Sequence, residues 1–326
     1  MTTPILLITF NRPKHTRRTL KALLSQIDCE DSLFVGQDIF VFQDGARENN
    51  EEDVVKCSEV RKVIEDCSVG SSAVFHKCYS DHNRGCRDAI IYAISSVLKQ
   101  FEQVIVVEDD IITSPAFLEY MNAALEYYKD KKTVFSISGH SHSPSRFQVP
   151  DDYEYDVFAS PRLFNWGWGT WRDRWLQTDW SFSYYERFMS HYYERLAFCR
   201  GGNDLLPMLI DEKEGRSSAW DIQFAFAHFA NHAVSIVPCV SYTYNIGLDG
   251  SGTHCGNSKG EEMPMLNLNT SPRFLDVLYF DSRIINSLYS IFLPQKRPLW
   301  QKAINYLARR TGRKAPFTIK GKVFLN

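Results

Sequence analysis

Short apolar runs alternate with longer stretches of helical periodicity through the first 138 residues. Residues 5–10 form an apolar run cut off by Asn11-Arg12-Pro13, the mark of a buried strand. Over 16–27, Leu20, Leu23, Leu24 and Ile27 recur at helical spacing. Residues 39–42 predict a second strand, ended by the turn signal Gln43-Asp44-Gly45. Stretches 52–67 and 84–101 are amphipathic helices by the same test, with a strand over 73–78 between them. A fourth strand, 104–107, feeds directly into Glu108-Asp109-Asp110. A helix is then expected near Ser114-Pro115, with Ser as its cap and Pro in its first turn. Strands and helices in this alternation predict an α/β fold, a mainly parallel sheet with helices on its faces.

Beyond a strand at 134–138 the alternation breaks down. Residues 139–182 are rich in Pro, Gly, Asp and aromatics and contain Trp166-Gly167-Trp168-Gly169-Thr170-Trp171. Helical spacing returns over 184–198 and after Trp220, and 234–240 predicts a late strand. There is no internal repeat and no linker long enough to separate independent domains. The expected organisation is one domain over 1–282, with a Rossmann-like nucleotide-binding half (1–110) fused to an acceptor-binding half (111–282). A basic helical tail, 283–326, follows.

Composition narrows the class. The 326 residues are 44% hydrophobic and 23% charged, which excludes collagen-like, low-complexity and wholly disordered chains. Eight cysteines without a C-x-x-C pair argue against a zinc ribbon or a dithiol redox centre. The apolar run 4–10 is too short for a signal-peptide core, so a cytoplasmic protein with reduced thiols is expected. The net charge of −2 hides an asymmetry, because no Asp or Glu follows Asp281 while ten Lys and Arg do. Within that tail, 293–307 interleaves Leu293, Leu299, Trp300, Ile304, Tyr306 and Leu307 with Lys and Arg. Two readings stay open for it: peripheral contact with an anionic membrane, or a terminal helix packing its apolar side on the body. No nucleic-acid recognition motif accompanies the basic tail, so nucleic acid is not an expected partner.

Ligands of open parallel sheets bind beyond the carboxyl ends of the strands. Here those ends carry Asn11 and Arg12, Asp44, and the acidic triplet. Three consecutive carboxylates repel one another, and a cation, protonation or bulk water must relieve the repulsion. An oxygen-only set suits Mg²⁺ or Mn²⁺, which take their remaining ligands from water and substrate phosphates; the bland alternative is a surface acidic turn. Arg12 and Arg84 offer planar guanidinium groups to a phosphate or base. Neither the dinucleotide fingerprint nor the P-loop pattern is present, which argues against hydride transfer and P-loop chemistry.

The order of these features resembles GT-A-fold glycosyltransferases of the inverting N-acetylglucosaminyltransferase I type, and beyond them the broad family-two sugar transferases of bacterial polysaccharide synthesis. The likeness is carried by residues 4–13, Gln43-Asp44-Gly45, Asn83-Arg84-Gly85, and Val106-Val107-Glu108-Asp109-Asp110-Ile111 with Ser114-Pro115-Ala116-Phe117, and extends over 4–255. It implies transfer of a sugar from a nucleoside diphosphate sugar, a UDP-sugar, to a hydroxyl of a glycan or lipid-linked saccharide. By the resemblance Asp110 binds the metal, Glu108 and Asp109 contact the donor's sugar or ribose, and Asp44 faces the uracil. Thr9, Asn11, Arg12, Asn83 and Arg84 fall among the nucleotide-sugar contacts. The catalytic base corresponds to Asp221 of the Trp220-Asp221 pair, with Ile222 where relatives usually carry a second acid. Trp166, Gly167, Trp168 and Trp220 would shape the acceptor and donor-sugar pocket, although aromatics so closely spaced also suit plain core packing. His254, in the polar loop 249–254, is a second candidate metal contact. The implied setting is the cytoplasmic face of the bacterial inner membrane.

Two other functions share parts of this pattern. A sugar-phosphate nucleotidyltransferase would need a Gly-rich loop after the first strand, and Thr9-Phe10-Asn11-Arg12-Pro13 has no glycine. A catalytically dead carbohydrate-binding relative would not need acids at both 110 and 221.

Overall fold

The computed structural model describes residues 2–248, 265–292 and 298–311. The chain opens with β1 (Ile5–Thr9), α1 (Pro13–Ile27), β2 (Asp38–Gln43), α2 (Glu51–Ser68), β3 (Val74–Tyr79), α3 (Cys86–Leu98) and β4 (Gln103–Glu108). Next come β5 (Ile111–Thr113), α4 (Phe117–Tyr128), β6 (Val134–Ser138), β7 (Val157–Ser160) and β8 (Trp168–Trp171). Helices α5 (Arg172–Trp175), α6 (Tyr185–Ser190), α7 (Tyr192–Phe198), α8 (Leu205–Lys213) and α9 (Trp220–Ala230) lead to β9 (Val234–Pro238) and β10 (Thr243–Asn245). Helices α10 (Ser282–Ile291) and α11 (Leu299–Arg310) close the order.

Eight strands form one sheet in the order β3-β2-β1-β4-β8-β6-β9-β7. β3, β2, β1 and β4 run parallel, and β8 enters antiparallel between β4 and β6. The sheet is therefore continuous from the first half of the chain into the second, while β5 and β10 pair separately. β1 is buried throughout because helices cover both faces of the sheet. Its Ile5 and Leu7 pack with Leu20 and Leu23 of α1 and Val60 of α2, and its Leu6 and Ile8 pack with Ile90 and Ile94 of α3. Each such side chain contributes roughly 1.5–3 kcal/mol of burial.

Three local expectations are corrected. α4 begins at Phe117, and Ser114 does not cap it: the Ser114 amide donates to Tyr242 O at 2.8 Å, which holds it in extended backbone beside β10. Trp168–Trp171, predicted as part of an irregular aromatic segment, is a central strand. Helical spacing over 184–198 resolves into two short helices, α6 and α7.

The two tail helices differ. α10 buries Ile284, Ile285 and Leu288 against Phe147, Phe158, Phe164 and Val237, and the Asp281 side chain caps it by accepting from the Arg283 amide. α11 turns Asn305 inward and leaves Leu299, Ile304 and Leu307 exposed. Among the described residues no helix is long and apolar enough to cross a membrane.

Candidate active site

Because β1, β2 and β4 are adjacent and parallel, their carboxyl ends converge, and the polar residues read from the sequence meet there. Glu108 ends β4, and Asp109 and Asp110 form the turn into β5. Arg12, on the turn after β1, reaches across: its Nη1 donates to Asp110 Oδ2 at 2.9 Å and its Nη2 donates to Asp109 Oδ1. Thr19 Oγ1 fixes the turn from α1 by donating to the Asp109 carbonyl at 2.8 Å.

The repulsion expected of the triplet is thus relieved in part by the chain's own guanidinium. Arg12, a nucleotide contact by the resemblance, is already committed to two carboxylates. Burial works against its charge, but Asp109 and Asp110 outweigh burial and hold it above its ordinary value. One guanidinium does not neutralise three acids. Depth in the cleft, with Asp110, Asp109 and Asp221 nearby and Arg12 opposing, pushes the Glu108 carboxyl up to about 8. Burial likewise raises Asp109, and its Oδ2 is buried with no hydrogen-bond partner among the described residues.

Asp44 organises the neighbouring loop. Its carboxylate accepts from the backbone amides of Gly45 (3.0 Å), Arg84 (2.9 Å) and Gly85 (3.1 Å) and from Asn83 Nδ2 (3.0 Å). Its oxygens, expected to face a base, are largely used in holding 83–85 in place. Gly45 is required there, since a Cβ would lie 2.5 Å from the His82 carbonyl carbon. Arg84 stacks over Tyr92 at 4.1 Å and its buried Nε has no partner among the described residues. Asn11 Nδ2 donates to Asp53 Oδ1 at 2.7 Å, and Arg47 grips the same carboxylate, which these bonds lower to about 2. Thr9 is buried and its hydroxyl donates to Phe42 O at 3.2 Å. Thr9 and Asn11 therefore brace the site from behind.

Asp221 stands in the first turn of α9, where its Oδ1 accepts from the Ile222 amide at 2.9 Å. α9 is tied to α3 by Arg87, whose Nε donates to Gln223 Oε1 at 2.8 Å and lies 3.2 Å from Glu212. This link brings Asp221 to the triplet's cleft, where its charge acts on both Glu108 and Cys86. Cys86, the first residue of α3, was not singled out by sequence; it is exposed at the cleft rim, and its surroundings with the charges of Glu108 and Asp221 raise its thiol.

The tryptophans separate into two groups. Trp168 and Trp220 are buried and stack on each other at 5.1 Å, with Trp175 and Phe224 beside them. They belong to the core and not to an open sugar-facing wall. Trp166 remains half-buried, its ring 4.4 Å from that of His140, and Gly167 O accepts from the Gly139 amide at 2.6 Å. His254 lies outside the described residues.

A further contact was missed by sequence reading. The Ile246 amide donates to the Asp110 carbonyl at 2.8 Å, which lays Gly247 directly on the Asp110 side chain. A Cβ at 247 would overlap Asp110 Oδ2 and approach Arg12 Nη1 to 3.0 Å. Nothing in the local pattern around 247 signals this, because the contact exists only once β10 pairs with β5.

Among the described residues no three His, Cys, Asp or Glu side chains form a self-sufficient metal cage. A magnesium-like ion does not need one, since one or two carboxylates with substrate phosphates and water complete its shell. The unpartnered Asp109 Oδ2 and the neighbouring Asp110 fit that demand in donor type and residual charge.

A profile of the GNT-I family matches residues 1–197, more than half of the chain. No curated protein sequence matches. Among solved structures, S. aureus TarS 1-349 is 14% identical with a TM-score of 0.43, over 76% of this chain and 62% of that one. The same protein in complex with UDP gives 13% identity and a TM-score of 0.39, over 75% and 60%. A UDP-glucose pyrophosphorylase complexed with UDP-glucose gives 13% and 0.40, over 76% of this chain and 94% of that one. The chain thus covers less than two thirds of the length of TarS 1-349.

Proposed function

The chain belongs to the GNT-I family, a glycosyltransferase family, and from that premise we propose that it is an inverting, metal-dependent enzyme moving a sugar from a UDP-sugar to a hydroxyl of a glycan or lipid-linked saccharide in polysaccharide biosynthesis. The α/β architecture agrees with the GT-A fold. The observation that carries the proposal is the incompletely neutralised triplet at the end of β4, with a second acid, Asp221, acting on the same cleft.

In this reading residues 1–110 hold the donor and 111–282 supply the acceptor side. Asp110, with Asp109 beside it, would hold Mn²⁺ or Mg²⁺, which when bound supplies Lewis-acid neutralisation of the donor's diphosphate. Arg12 fixes those two carboxylates in orientation before the donor arrives. Asp44 orders 83–85, so that Arg84 can present its unpartnered Nε to phosphate or base. Glu108, at the end of β4 beside Asp109, would contact a sugar or ribose hydroxyl of the donor. Asp221 removes the proton of the acceptor hydroxyl as its oxygen attacks the anomeric carbon, opposite the departing diphosphate. Attack from that side inverts the anomeric configuration. Trp166, half-buried, would line the pocket, while Trp168 and Trp220 stay in the core.

The test is a nucleotide-sugar panel with and without Mn²⁺, scored by thermal shift and slow hydrolysis on wild type and Asp110→Ala. The proposal expects one UDP-sugar to stabilise the wild type only with metal, and the variant to lose that shift. Pyrophosphate release from an NTP and a sugar phosphate, with no sugar transfer, would establish a nucleotidyltransferase instead.

A further inference from the structure

Helix α11 has its amphipathic character reversed: its polar side is the covered one. Gln301, Asn305 and Ala308, spaced i, i+4 and i+7, share one face, and this is the side turned inward: Asn305 is only 3% exposed. The opposite arc carries Leu299, Trp300, Ala303, Ile304, Tyr306 and Leu307. Its large members are all exposed, Leu299 at 83% and Ile304 and Leu307 at 41% and 59%. Helix α10 does the reverse and buries its own apolar side. A soluble surface helix normally hides its apolar stripe, so an exposed stripe of this kind marks an interaction face.

Charge selects the occupant. Ten Lys and Arg and no acid follow residue 282, and Lys302, Arg309 and Arg310 lie within α11 itself. A second copy brought face to face here would set two basic tails against each other, whereas an anionic lipid surface answers both the charge and the apolar arc. Twelve residues of helix span roughly 18 Å, too little to cross the hydrocarbon layer and enough to lie along its surface. We propose that α11 is a membrane-surface anchor whose Leu299, Ile304 and Leu307 enter the headgroup boundary of an anionic bilayer. The proposal goes beyond the transferase reading and stands independently of it.

The full chain is tested by flotation with vesicles of phosphatidylcholine alone or with about 30% phosphatidylglycerol. Wild type is expected to float with the anionic vesicles, to leave the neutral ones, and to be partly released by high salt. Ile304→Ser/Leu307→Ser should reduce partitioning about tenfold or more with an unchanged melting transition, since both side chains are exposed. Transfer to a water-soluble acceptor should be unaffected. Absence of binding to anionic vesicles, equal binding to neutral ones, or a double variant that binds like wild type would overturn the proposal. So would a wild-type dimer in solution that the double variant abolishes, because the face would then belong to a second copy.

Discussion

Arg12 Nη1 and Asp110 Oδ2 are 2.9 Å apart, although 98 residues separate them in the chain. The contact follows from topology: β1 and β4 are parallel neighbours, so the turns leaving them open onto the same edge. The same guanidinium also binds Asp109, and its side chain is only 17% exposed. A charge so placed is costly to remove on either side.

Arg12→Ala should therefore destabilise the metal-free protein by about 3–5 kcal/mol, because two buried carboxylates lose their counter-charge. Urea denaturation measures the loss, and Mn²⁺ should restore part of it in the variant if the acids hold the ion. Arg12→Lys should fall between, since an ammonium group cannot span both carboxylates in one planar fork.

Asp221 and Asp110 should fail in different ways. Asp221→Asn keeps its shape and removes the proposed base, so kcat should fall about 10²–10⁴-fold while the metal-dependent donor shift persists. Asp110→Asn should abolish the donor shift itself. Loss of donor binding in Asp221→Asn would place that residue among the donor contacts and remove it as the base.

The alternation of elements up to Ser138 was legible because β1, β4 and β6 are short runs buried on both faces and α1 carries a clean apolar stripe, whereas β3, largely exposed at the sheet edge, was read from its β-prone residues alone. The convergence of Arg12, Asp44 and the triplet was legible for the same reason: strand ends of a parallel sheet share an edge. β8 was not, since four residues with Gly169 inside them show no period, and only its neighbours β4 and β6 make it a strand. Gly247 and the bracing of 83–85 by Asp44 were hidden too, because both are contacts between distant segments. The side chains of Asn11 and Thr9 turned to structural partners for a reason the sequence does not display, namely the proximity of Asp53 and Phe42.

Trp168 and Trp166, two residues apart, should respond oppositely to truncation. Trp168→Ala opens a cavity in the core beside Trp220 and should cost about 3–5 kcal/mol in a urea titration. Trp166→Ala should leave the melting transition within a few degrees of wild type and act mainly on acceptor KM.

Acid stability should depend on His228. Its Nδ1 lies 2.7 Å from Phe224 O and its Nε2 lies 2.9 Å from Ser136 Oγ, and burial holds its ring down to about 4. The folded value lies below the unfolded one of about 6.5, so the native state binds fewer protons. This contribution is complete above about 6.5 and disappears as pH falls through about 4, a change of roughly 3 kcal/mol. His140 and His142, also depressed by burial, add to the same limb. Unfolding free energies between pH 7 and pH 4 should fall less in His228→Gln than in wild type, while the raised carboxyls of Glu108 and Asp109 oppose the histidines equally in both proteins.

Gly247→Ala tests whether the turn after β10 is part of the acidic site or merely near it. The added methyl would lie 2.1 Å from Asp110 Oδ2, and the Ile246 amide holds the backbone to the Asp110 carbonyl, so the turn cannot simply slide away. The carboxylate must rotate, and rotation breaks its bond to Arg12. Stability should fall by about 1–3 kcal/mol, the usual cost of overpacking. Metal-dependent donor binding should fall more steeply than stability does if the displaced carboxylate is the proposed metal ligand. Gly247→Ala with a lowered melting point but an unchanged Mn²⁺ and UDP shift would show that Asp110 can turn away without loss, and would move the metal site to Asp109 and Glu108.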